Sequence, residues 1–169
     1  DAKYIGLEPH NWVTAWVALT DSNENNGCMK MWPKSHLNIK DHNEKFNEGN
    51  LLTRGQTVEN VPENEVKSIE LKAGQMSLHH PRVVHGSGIN KSNDRRIGFV
   101  IQSYIGTNVK QTLGKNSVQI ARGEDNYHHH EIINRPNALM SEESILLRKK
   151  ENDYLQEIFY KGAKQKGSY

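Results

Sequence analysis

At 169 residues, with 34 % hydrophobic and 25 % charged, the chain has the length of one domain with a real core and suits a soluble protein with a polar surface. The formal charge of +2, with Lys and Arg scattered among acids and no aromatic platform set in a basic stripe, argues against a nucleic-acid partner. No apolar run approaches the roughly 20 residues that span a bilayer, and the single Cys28 rules out an internal disulfide and fits a reducing, cytoplasmic setting.

Trp12 to Thr20 (WVTAWVALT) carries apolar residues on both faces, so it predicts an inner strand of a sandwich or barrel. Asp21 to Gly27 is polar and ends in Asn26-Gly27, a turn with easy positive φ, and Cys28 to Trp32 reads as a short strand stopped by Pro33. His36 to Glu65 is rich in Asn, Glu and Lys and lacks apolar periodicity. It is expected to be a long loop, either a lid or a solvated insertion.

Strand signals return at Lys67 to Leu71, with a Lys72-Ala73-Gly74 turn and a further strand from Gln75 to His80 that Pro81 interrupts. Arg96 to Tyr104 alternates, with Arg96, Gly98, Val100, Gln102 and Tyr104 on one side. Ser117 to Ala121 is another strand candidate. Ser141, followed by Glu142 and Glu143, predicts a helix start, and Leu147, Tyr154, Leu155, Ile158 and Phe159 give an amphipathic helix ending before Gly162. Many short strands with a final helix indicate a mainly β fold, a sandwich or jelly roll with flanking helices.

Two residues draw attention chemically. Arg96 opens a strand beside Gly98, and an inward guanidinium calls for an anion; a carboxylate matches its rigid fork of donors. The alternative is a salt bridge to a protein acid or a surface position. His85 follows Val83 and Val84 and precedes Gly86-Ser87-Gly88, where a side chain can enter a cavity while the backbone turns away. A histidine there serves as a metal ligand or as a hydrogen-bonded core residue, and His79 and His80 compete for the ligand role. Adjacent strand residues face opposite ways, so His79 and His80 do not both reach one metal. His128-His129-His130 reads as a structural or surface loop.

The motifs together resemble the phytanoyl-CoA dioxygenase family of iron(II)- and 2-oxoglutarate-dependent oxygenases. Asp1 matches the aspartate of a His-x-Asp motif, Trp16 to Leu19 a W-x-A-L strand, Asn26 to Cys28 an N-G-C turn, and Pro33 to His36 a P-G-S-H segment in which Lys34 replaces glycine. His85-Gly86-Ser87 resembles the distal H-G-S motif, followed by Asn90 and by Arg96 eleven positions after the histidine. Asp125 to Tyr127 and Ile158 to Ala163 resemble C-terminal segments of the family.

The resemblance implies a double-stranded β-helix (jelly roll, cupin-like) over residues 1–169, with residues 36–65 as loop or lid. It also implies an upstream part carrying the first iron-binding histidine two positions before Asp1. It implies Fe(II) held by Asp1 and His85, and 2-oxoglutarate held by Arg96 with Ser87 donating a hydrogen bond. The other expected participants are molecular oxygen and a small-molecule substrate, with Tyr4, His10, Trp16 and Cys28 lining its pocket, in a monomer or homodimer. An aspartate at position 1, rather than the small residue of halogenases, implies hydroxylation. Two other classes stay open: a non-catalytic jelly-roll ligand-binding module, and a cupin-type metalloprotein using His79 or His80 with His85.

Overall fold

A strand with apolar residues on both faces has to be covered on both, and β2 (Trp12–Ala18) is the middle strand of its sheet. Trp12, Thr14, Ala15, Trp16 and Ala18 are buried. The computed structural model describes residues 1–45 and 55–163. In chain order its elements are α1 (Ala2–Ile5), β1 (Leu7–Glu8), β2, β3 (Met29–Met31), a 3-10 turn (Ser35–Leu37), β4 (Asn43–Glu44) and β5 (Gln56–Thr57). They continue with β6 (Lys67–Ile69), β7 (Met76–His79), β8 (His85–Ser87), β9 (Gly98–Ile105), β10 (Lys110–Gln111), β11 (Ser117–Val118), β12 (Glu131–Ile132) and α2 (Glu142–Tyr160).

Two compact units divide these elements. The first, built from residue 1 and residues 12–43 and 58–105, holds two three-stranded antiparallel sheets, ordered β7-β2-β9 and β6-β3-β8. In the first sheet, Thr14 pairs with His79 and Trp16 with Ser77 on one side. On the other side Trp16 pairs with Val100 and Ala18 with Gly98, after a register shift between Val13 and Ala15. In the second sheet, Met31 pairs with His85 and Met29 with Ser87. Antiparallel sheets with flanking helices, the last of them C-terminal, make this the expected mainly β, double-stranded β-helix fold.

The turns follow from their residues. Gly27 and Gly74 take positive φ (75° and 87°), a region that costs glycine nothing. Gly27 also lies against the chain that follows β8: a Cβ there would stand 2.6 Å from the Gly88 carbonyl oxygen. The Lys91 N–H donates to the Asn25 carbonyl at 2.9 Å, so the N-G-C turn and the segment after Ser87 are fitted to each other.

The second unit comprises residues 2–11, 44–57 and 106–169. It contains the β1–β10 pair, a parallel β11–β12 pair and both helices. Ala2, Ile5, Leu7, Val109 and Ile158 are its buried apolar residues. Ser141 caps α2 by accepting from the Ser144 N–H at 3.2 Å, with Glu142 and Glu143 in the first turn where the helix dipole favours acids. Of the apolar helix residues named from sequence, Ile158 is buried and Leu155 faces solvent. His130 is held by Asn116 and by the Val109 carbonyl, each at 2.7 Å, and His128 and His129 are exposed.

Part of the stretch expected to form a long loop or lid, residues 46–54, lies outside the described residues. The described flanks carry the 3-10 turn and the short β4–β5 pair. Among the described residues no helix is long and apolar enough to cross a membrane.

Candidate metal centre and carboxylate clamp

Strand β8 places two candidate side chains on one face. His85 and Ser87 are two residues apart, and strand side chains alternate, so imidazole and hydroxyl point the same way. The approach to His85 is fixed by the Pro-Lys-Ser-His segment. The buried Ser35 hydroxyl donates to the Trp32 carbonyl at 2.7 Å and accepts the Val84 N–H at 2.9 Å, while the Trp32 N–H donates to the Val84 carbonyl at 2.9 Å. Lys34, where the family keeps glycine, has φ 64° and ψ −1°. That left-handed backbone is one that glycine adopts without steric cost.

The ring of His85 is fixed by its own hydrogen bond. Its Nδ1 lies 2.9 Å from the Val83 carbonyl oxygen, which can only accept. The proton therefore sits on Nδ1, and the Nε2 lone pair is left for a metal. One side of His85 is open to solvent. Packing on the other pushes its pKa below the ordinary imidazole value, against the Val83 bond, which favours the charged ring.

Beside it stands His79, at the end of β7, with ring centroids 5.1 Å apart. His79 is 5 % exposed, and its Nδ1 is buried without a hydrogen-bond partner. Its pKa is lowered to about 4, chiefly by burial and then by the charge of His85. His80 turns the other way, toward His36 at 5.7 Å between ring centroids.

Asp1 joins the same neighbourhood. Its backbone nitrogen donates to the carbonyl of buried Pro81 at 3.1 Å, two residues past His79. A carboxylate and a neutral imidazole are suitable donors for two positions of a 2-His-1-carboxylate metal face. The third position has no donor here: among the described residues no group of three or more His, Cys, Asp or Glu could hold a metal ion. The residues present thus fit part of such a centre and not the whole.

Arg96 supplies the cation. Its Nη2 donates to Ser87 Oγ at 3.3 Å, and its guanidinium carbon lies 5.4 Å from the centroid of the Trp16 ring. The backbone on either side is tied to Thr20, whose hydroxyl accepts the Ile97 N–H at 2.9 Å and donates to the Arg95 carbonyl at 3.2 Å. Asn90 shapes the preceding loop, donating to the Asp94 carbonyl at 2.8 Å and accepting from the Ser92 N–H at 2.9 Å and its hydroxyl at 2.7 Å.

The four residues expected to line a substrate pocket fall in different places. Trp16 lies with Arg96. Cys28 is completely buried, and its thiol is pushed up by burial and by the charges of Glu70 and Glu24, an environment that makes a thiol inert. Tyr4 and His10 belong to the second unit, where Tyr4 meets Phe159 edge-on at 6.4 Å and burial raises its pKa. The anchoring roles of Ser35 and Thr20 escaped sequence reading. The bond of Ser35 to Val84 and those of Thr20 to Arg95 and Ile97 run to segments distant in the chain, and the P-x-S-H motif marked only the position of Ser35.

The family model described as phytanoyl-CoA dioxygenase (PhyH) matches residues 1–98. The human peroxisomal phytanoyl-CoA dioxygenase is 28 % identical over 99 residues, 57 % of this chain and 29 % of that protein. The phytanoyl-CoA dioxygenase of Arabidopsis thaliana is 32 % identical over 100 residues, 59 % of this chain and 35 % of that protein. A probable alpha-ketoglutarate-dependent hypophosphite dioxygenase of Stutzerimonas stutzeri is 30 % identical over 112 residues, 63 % of this chain and 39 % of that protein. The chain thus spans well under half the length of these curated relatives.

Among solved structures, the apo form of the non-heme monooxygenase ThoJ has a TM-score of 0.80 and 28 % identity, covering 94 % of this chain and 58 % of that one. The nickel complex of the same enzyme gives 0.73 over 92 % and 55 %. With half or more of the chain matched by the family model, and the distal histidine and arginine motifs inside the matched stretch, the chain belongs to the phytanoyl-CoA dioxygenase family.

Proposed function

We propose that this chain carries the distal metal ligand and the co-substrate anchor of an iron(II)- and 2-oxoglutarate-dependent dioxygenase that hydroxylates an aliphatic carbon of a small organic molecule. The observation that carries this reading is the contact of Arg96 with Ser87 at 3.3 Å, two residues along β8 from His85. It sets a guanidinium beside the strand that presents an imidazole lone pair. A dicarboxylate reaching from a metal at His85 to a fixed cation is the ligand such a spacing suits.

Asp1 and His85 would hold two positions on the iron; the resemblance assigns the third to a histidine two positions before Asp1. When bound, iron and 2-oxoglutarate supply oxygen activation and two electrons, with succinate and carbon dioxide released and one oxygen atom passing to the substrate. The chain's own contributions are orientation and charge. Val83 holds the His85 ring in the ligating tautomer, Arg96 binds the far carboxylate, Ser87 bonds to it, and Trp16 closes one side of the guanidinium to water. The relatives named above support the cofactor class, and a carboxylate at position 1 favours hydroxylation over halogenation.

Anaerobic calorimetry with 2-oxoglutarate and Mn(II) tests the reading. The native chain is expected to bind, and Arg96→Ala to bind at least about tenfold more weakly, as loss of a charged hydrogen-bond partner entails. Equal binding by the two would remove Arg96 from the role. A second reading, a non-catalytic jelly-roll ligand-binding module, is favoured by the incomplete metal face among the described residues. Under that reading 2-oxoglutarate binds equally well with and without metal.

A further inference from the structure

Gly98 opens β9 opposite Ala18, two residues along the ladder from the Trp16–Val100 pair. A glycine beside an inward arginine would ordinarily mean room for a ligand. Here the room is already taken. A Cβ at Gly98 would fall among the indole atoms of Trp16, within 2.7 Å of Nε1 and closer still to Cε2 and Cζ2. The three nearest atoms all belong to that one ring, and Gly98 has no positive φ that would require glycine for backbone reasons. Its lack of a side chain is therefore matched to the indole.

The ring so accommodated is the one that faces Arg96, 5.4 Å from its guanidinium carbon, within the range of a cation–π contact. Trp16 is 7 % exposed, so the indole is packed in place. Ser87 engages one of the five guanidinium donors, and the indole covers the flat face, which leaves the fork's edge to meet an anion.

We propose, resting on the reading just given, that Gly98 and Trp16 form a positioning pair for Arg96. The missing side chain lets the indole lie against β9, and the indole fixes the plane in which Arg96 presents its donors to the co-substrate carboxylate. Trp16 then acts through Arg96 and not as a wall of the substrate pocket. Neither residue is catalytic: both set an arginine that is.

The test compares the native chain with Gly98→Ala, Trp16→Leu and the double variant. Binding of 2-oxoglutarate with Mn(II) is measured by calorimetry, and the ring-current shift of the Arg96 side-chain protons by NMR without ligand. Expected is an upfield-shifted Arg96 signal in the native chain that is lost in both single variants, with 2-oxoglutarate bound about tenfold more weakly by each. Mn(II) affinity should stay unchanged.

In the double variant the smaller leucine side chain in place of the indole makes room for the added methyl group. Its affinity should match that of Trp16→Leu alone, and it keeps the test open if Gly98→Ala does not fold. A native ring-current shift that survives in Gly98→Ala, or affinities that fall additively in the double variant, would overturn the proposal. If the native chain shows the shift yet binds no 2-oxoglutarate, the oxygenase reading fails while the pairing of Gly98, Trp16 and Arg96 stands.

Discussion

The imidazoles of His79 and His85 lie 5.1 Å apart at a 55° tilt, one from each sheet of the first unit. The Val83 carbonyl claims the Nδ1 proton of His85 and leaves its Nε2 lone pair free, whereas the Nδ1 of His79 is buried without a partner. Nitrogen-15 NMR of the metal-free protein is expected to show His85 as the Nδ1–H tautomer, and Zn(II) is expected to move the Nε2 resonance while the Nδ1 proton stays. A proton found on Nε2 would remove His85 as a ligand in this geometry.

Lys34 holds a left-handed backbone at φ 64°, and its half-turn leads into the Ser35 bonds that set the entry to β8. A non-glycine residue in that region carries about 1 kcal/mol of steric cost. Lys34→Gly should therefore raise stability by about 1 kcal/mol in urea denaturation, with the slope unchanged. A destabilised variant would show that the lysine side chain contributes more than its backbone costs.

Thr20 accepts from the Ile97 N–H and donates to the Arg95 carbonyl, bracketing Arg96 from both sides. Thr20→Val keeps the shape and removes both bonds. It should cost about 1–2 kcal/mol of stability and raise the KM for 2-oxoglutarate, while Thr20→Ser should restore both. An unchanged KM with lowered stability would limit Thr20 to a fold role.

Asp21 ties down the Lys72-Ala73-Gly74 turn, accepting from the Ala73 N–H and from Lys72 Nζ, each at 2.9 Å. The Ala73 bond first and Lys72 second hold its carboxyl below the ordinary carboxylate range. A depressed folded-state pKa contributes stability that is present above the unfolded value and is lost as pH falls through the folded one. Asp21→Asn should thus lower Tm at neutral pH, and the gap from the native chain should close between about pH 5 and pH 2. A gap independent of pH would mean that the charge plays no part.

The strands most legible in the sequence were those whose burial is local to them. Trp12–Ala18 has apolar residues on both faces, and Gly27, Gly74 and Ser141 are turn and cap residues whose roles follow from their own chemistry. Strand β8 has no such mark. His-Gly-Ser carries no apolar alternation, and all three residues are exposed; it is a strand because β3 pairs with it. The register shift between Val13 and Ala15 leaves no trace in an alternating pattern either.

At the site, alternation correctly separated His79 from His80. The spacing of His85 and Arg96 marked the pair, but not that Ser87 links them. Gly98 beside Arg96 is legible in the sequence as a missing side chain, but what fills the gap is not. The indole that does so comes from a strand some 80 residues earlier.

The fit of Gly27 against Gly88, with Asn25 accepting from Lys91, makes two remote loops a single cassette. Neither can change length alone: an insertion in residues 21–27 would push backbone into the chain that leads from Ser87 to Arg96. A chimera that exchanges one turn for that of a relative must carry the other with it, or shift the arginine along with the graft.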